Sequence, residues 1–114
     1  MVVETGEKLH VVTRRMFADD LRRHFIGVVD EVSDTTIRAT GFGFVFDELK
    51  GEFVKSNEMR TRLITPGDAG LIIHILPEAV DLASLRYGRG KGGARILTDG
   101  GGFEMAVSEF GTSR

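Results

Sequence analysis

TTIRATGFGFVF, residues 35–46, decides the fold, because its apolar positions change phase halfway along. In an extended strand Ile37 and Ala39 share one face, while Phe42, Phe44 and Phe46 fall on the other, since strand side chains alternate with a period of two. One core receives both sets only if a bulge or sharp bend intervenes. Gly41 and Gly43 stand where a bend costs least. The expectation is a long, strongly curved strand of a small barrel or rolled sheet, with the isoleucine and the phenylalanines meeting in a common interior.

Outward from this stretch the chain alternates short strands with turn signals. FIGVVDEV (residues 25–32) reads as the preceding strand, and SDTT (33–36) as its turn. Residues 8–15 alternate weakly and carry β-branched side chains, giving a first strand. Phe17, Leu21 and Phe25 recur at a spacing of four, which predicts one or two helical turns, with Asp19 and Asp20 in the first. DELKGE (47–52) predicts a hairpin loop with Gly51 in the left-handed position, and RTRLIT (60–65) a strand ended by the Pro66-Gly67-Asp68 turn. LIIHIL (71–76) is almost continuously apolar, as in a strand buried on both faces. Pro77 and residues 78–85 suit a short helix with Pro at its first position. YGRGKGG (87–93) is a loop, and residues 94–98 and 103–109 form a last hairpin across the Gly-rich turn at 99–102. The fold class is therefore all-β or β-dominated α+β: a strongly bent antiparallel sheet forming a small, partly open barrel with one or two short helices. The expected core is Val29, Ile37, Phe42, Phe44, Phe46, Leu63, Ile73, Ile75, Leu97 and Val107.

A chain of 114 residues suits a single domain, residues 1–114, with loose ends at 1–7 and 111–114. Cysteine is absent, which excludes disulfides and thiolate metal sites and fits a cytoplasmic address. Residues 1–8 lack the apolar stretch of a signal peptide. No apolar run approaches the roughly 20 residues that a membrane-spanning helix needs. A net charge of −2 exerts no global pull on nucleic acid or anionic lipid.

No catalytic or cofactor motif is present. His10, His24 and His74 have no metal-ligand spacing, and the neighbouring carboxylates Asp19-Asp20, Asp30-Glu31 and Asp47-Glu48 would face opposite ways on a strand. YGRGKGG resembles an anion cradle, but Lys91 is followed by Gly92 rather than Ser or Thr, and no helix follows. No catalytic residue, metal or cofactor is assigned. The clustered arginines Arg14, Arg22, Arg23, Arg60 and Arg62 remain as candidate ligands for an anion. On neighbouring strands their guanidiniums would offer bidentate contacts to phosphate or carboxylate. Interleaved acidic residues (Asp19, Asp20, Asp30, Glu31, Glu58) give the competing account, internal salt bridges or a subunit contact.

The run FIGVVDEVSDTTI resembles the first motif of Sm-like small β-barrels, and less specifically SH3-like barrels, through Gly27, Val29, Val32, Asp34 and Ile37. The resemblance covers about a third of the chain. The Asn that serves the family's nucleotide pocket does not follow the turn Asp, and the second motif is missing. It implies ring assembly and RNA binding. The leading functional expectation is a non-enzymatic binding or assembly module, a homo-oligomer or a partner of another protein. Its subunit contacts would lie at LIIHIL and the terminal strand 103–110, because unpaired edges of that composition invite aggregation. An RNA- or nucleotide-phosphate-binding barrel using the five arginines is the alternative. An enzyme with its site between subunits, built on His24 or His74 with a carboxylate, comes third.

Overall fold

Arg23 to Asp47 contains the two longest strands, and the rest of the first unit is built around them. The computed structural model describes residues 2–15, 17 and 19–107, and the chain forms two compact units, Met1–Glu78 and Ala79–Arg114. The first holds β1 (Lys8–Thr13), β2 (Arg23–Val32), β3 (Ile37–Asp47), β4 (Glu52–Lys55), β5 (Arg60–Ile64) and β6 (Leu71–Leu76). All pair antiparallel, in the order β4-β3-β2-β1-β6, with β5 also on β3. β4 and β5 share one edge of β3: β5 pairs residues 37–41 and β4 pairs residues 44–47. At the gap between them Ser56 donates its amide to the Gly43 carbonyl at 2.8 Å, and Gly43 donates to Ser56 Oγ at 3.1 Å. β5 and β6 are not paired with each other among the described residues, so the bent sheet stays partly open.

β2 and β3 approach most tightly at the pair Gly27–Gly41 among the glycine sites. A Cβ at Gly41 would sit 1.8 Å from the Ile26 carbonyl oxygen, so only glycine lets the two backbones approach this closely. Gly43 is roomier, with Arg62 Nη2 at 3.7 Å as the nearest atom to an added Cβ. The pairing irregularity falls on β2 rather than β3: Asp30 is skipped between Val29–Ala39 and Glu31–Arg38. This bulge lets Val29 and Val32, three residues apart, serve the same core.

The alternation of β3 is therefore unbroken, and the expected common interior does not form. Ile37 and Ala39 join Val3, Leu9, Val11, Phe25, Val29 and Ile64 in one cluster. Phe44 is buried on the opposite face, opposite His24, with Phe42 and Phe46 half-buried beside it. Leu63, 71% exposed, is out of phase with the buried Ile64. LIIHIL is the terminal strand of the sheet, not one buried on both faces, and leaves Ile75 49% exposed. No helix forms at Phe17–Phe25 among the described residues. Arg23 onward is drawn into β2 by partners on both edges, and Phe17 and Leu21 are exposed. Local spacing loses to pairing because so short a helix is marginal alone.

The second unit is an antiparallel sheet of β7 (Arg86–Arg89), β8 (Arg95–Thr98) and β9 (Glu104–Ala106). The helix expected after Pro77 is reduced to a 3-10 turn, Leu82–Ser84, whose Ala83 amide donates to Asp81 Oδ1. YGRGKGG divides between β7 and a second 3-10 turn, Lys91–Gly93. Leu97 is fully buried, and burial raises the Tyr87 phenol well above its usual range, opposed by the Arg95 charge. Of the expected terminal strand, residues 108–110 lie outside the described residues.

Asp99 organises the β8–β9 turn, accepting from the amides of Gly101 (2.8 Å), Phe103 (3.2 Å) and Asp81 (3.3 Å). These bonds, Gly101's first, hold its carboxyl below the ordinary range. Its support is therefore present above the unfolded carboxylate pKa and is lost as pH falls through the lower folded value. Asp99→Ala is expected to speed hydrogen exchange at the Gly101 and Phe103 amides at pH 7. Unchanged protection would show the carboxylate to be idle.

Candidate functional site

The two faces of the first unit carry different chemistry. On the core face, the row Val11–Phe25–Gly43 is followed by Leu71–Thr13–Arg23–Val45. Past the core the sheet opens into a cleft of about 460 Å³, within the range of small-ligand sites. Val11, Phe25, Ile64 and Leu71 supply apolar lining, with Arg23 and Arg62 as cations and Asp68 as the acid. Gly43 leaves a slot through which Arg62 crosses from β5, its Cζ 5.5 Å from the Phe25 ring centroid. A guanidinium over a ring face gains a cation–π attraction, and its fork of N–H donors suits bidentate contact with an anion. Neither Arg23 nor Arg62 has a carboxylate within ion-pair distance among the described residues. Asp68 Oδ1 accepts from the Gly70 amide at 2.7 Å, which engages the nearby acid in its own turn.

Of the five candidate arginines, then, the cleft brings together two. Arg22 lies over the Phe46 ring on the opposite face, Cζ to centroid 5.1 Å. Arg60 approaches Glu58 at 3.9 Å, both well exposed, a pair weakened by solvent. Arg14 is exposed beyond the end of β1, outside the cleft lining. The rim of gathered guanidiniums expected from the sequence is thus a pair, not a cluster.

The opposite face holds a row of imidazoles that sequence spacing did not reveal. His10 and His74 are direct cross-strand partners of β1 and β6, and His24 lies diagonally from His10 on β2. His10 Nδ1 is 3.1 Å from His74 Nδ1, and His10 Nε2 is 3.3 Å from His24 Nδ1. A neutral imidazole has one donor and one acceptor nitrogen, so the row is satisfied when His10 donates to one neighbour and accepts from the other. His10 has no exposed surface. Burial first, then the charges of His24 and His74, pull its pKa down to about 3. The His24 ring lies 4.5 Å from that of Phe53, which packs edge-on to Phe46. The two ring nitrogens of His10 face His74 and His24, on opposite sides of the ring, rather than one external point. No group of histidines and carboxylates among the described residues is arranged to hold a metal ion. His74 is paired with His10, where the intersubunit enzyme required a carboxylate. The only signal for the row was that His10 and His74 lie in predicted strands; His24 stood in the segment expected to be helical and joins the row only because β2 begins at Arg23. The eight or more residues joining those strands left the register open.

No protein-family model, curated protein or solved structure matches the chain, and the likeness to Sm-like barrels gains no support from them.

Proposed function

We propose that the first unit is a non-enzymatic binding module whose ligand is a small molecule with an anionic group on a flat, apolar body. The observation that carries this is that Arg23 and Arg62 both line the cleft, with the Arg62 guanidinium over the Phe25 ring, beside the apolar lining of Val11, Ile64 and Leu71. Two guanidiniums beside one engaged acid favour an anion, and the aromatic and aliphatic lining favours an attached ring. The scatter of Arg14, Arg22 and Arg60 away from this cleft supports a compact ligand over a polymer, which would need a charged track.

The test is a thermal-shift and calorimetric screen of mononucleotides and aromatic carboxylates, with inorganic phosphate and the uncharged nucleoside as separate arms. At least one anion bearing a ring should stabilise the protein, and each half alone should do so less. Arg62→Gln is expected to weaken that binding about tenfold to a hundredfold, the worth of one charge-assisted hydrogen bond. Arg22→Gln should leave it unchanged. A screen with no stabilising member, or equal loss in both variants, would remove the cleft as the site.

A further inference from the structure

We infer that β6 is a self-association edge, through which two copies of this chain pair strand to strand about a two-fold axis at His74. This goes beyond the cleft and does not depend on it. β6 pairs with β1 along one side only, and its other backbone edge has no strand partner among the described residues. Leu71, Ile72, Ile73, His74, Ile75 and Leu76 include no lysine, acid, proline or bulge, the features with which natural sheets blunt an edge. Ile72 and Ile75 are 39% and 49% exposed.

The occupant is a second copy because the strand is complementary to itself. Two antiparallel strands related by an axis normal to the sheet keep the same face upward, so paired residues share parity and the axis passes beside one residue. An axis at His74 sets Ile73 against Ile75 of the second copy and Ile72 against its Leu76. Every flanking pair is then apolar on apolar. An axis at Ile73 sets Ile72 against the other copy's His74, a poorer match. Nothing in the strand carries a charge that would select an unlike partner. The His74 register also places the two His74 side chains opposite each other at ordinary cross-strand spacing, about 4.5–5.5 Å between Cα atoms. The ring stack already seen between His10 and His74, 5.4 Å between centroids and 13° between planes, would then continue into the second copy.

Sedimentation equilibrium of the full chain from low micromolar to about 100 µM should give a species of twice the 12.5 kDa chain mass. Ile75→Lys puts a charge on the exposed edge. It should shift the protein at least tenfold in concentration toward monomer, with an unchanged circular dichroism spectrum. Leu49→Lys, on a fully exposed loop, should not. The chain has no cysteine, so His74→Cys supplies a single reporter. Mild oxidation should give a disulfide-linked dimer, while Val54→Cys on β4 should give little. Monomer at every concentration, or association untouched by Ile75→Lys, overturns the proposal. Dimer without the His74→Cys cross-link overturns the register.

Discussion

Gly41→Ala is expected to cost at least about 3 kcal/mol of unfolding free energy, a large part of a small domain's stability. The added Cβ would lie 1.8 Å from the Ile26 carbonyl oxygen and 2.5 Å from the Gly27 Cα. Both are backbone atoms of a strand held on each side, so relief requires β2 and β3 to separate at the Gly27–Gly41 pair. Gly43→Ala is the matched control. Its new methyl meets only the end of the Arg62 side chain, at 3.7 Å. Loss of backbone freedom in the unfolded chain should leave it neutral or up to about 0.5 kcal/mol more stable. Urea unfolding of the pair decides the matter. Comparable stability in the two variants would mean that the strands do not cross closely at Gly27.

Acid is expected to weaken the fold through His10. Its folded pKa of about 3 lies below the unfolded value of 6.5, burial being the first cause and the neighbouring imidazoles the next. Above pH 6.5 the residue is neutral in both states and its full contribution is present. Between 6.5 and 3 the unfolded chain takes up a proton that the folded one refuses, and stability falls by up to about 1.4 kcal/mol per pH unit. The total is on the order of 5 kcal/mol, and the slope ends once pH drops below the folded value. His10→Val starts from lower stability at pH 7, because it breaks the imidazole row, but should lose much less between pH 6.5 and 4. Equal pH slopes for the two proteins in urea titrations would remove His10 as the acid-sensitive group.

These two sites differ in how far the sequence foretold them. Glycine at 41 marked a special backbone position, and there β2 and β3 approach more closely than a Cβ would allow, because a missing Cβ is a local property that any partner strand must respect. The consequence drawn from it was wrong in one respect. The close approach at Gly41 leaves the alternation of β3 intact, and the phenylalanines stay on the face opposite Ile37. The residue that resets phase is Asp30 on the neighbouring strand, and a bulge of that kind depends on the pairing of two strands. LIIHIL was legible as a strand and as a contact edge, and it is terminal in the sheet; its apolar run also suggested burial on both faces, whereas Ile75 is 49% exposed. The arginine pair of the cleft was half legible: Arg23 and Arg62 stood among five candidates that charge alone could not separate.

Strand content, the turns at Pro66-Gly67 and Asp99-Gly102, and the antiparallel sheet class follow from the order of residues, since alternation and turn chemistry act over a few neighbours. Tertiary structure alone decided that His10, His24 and His74 form one row and that Arg62 lies on Phe25. Both arrangements depend on register between strands far apart in the chain. A shift of a single residue would send each of these side chains to the other face.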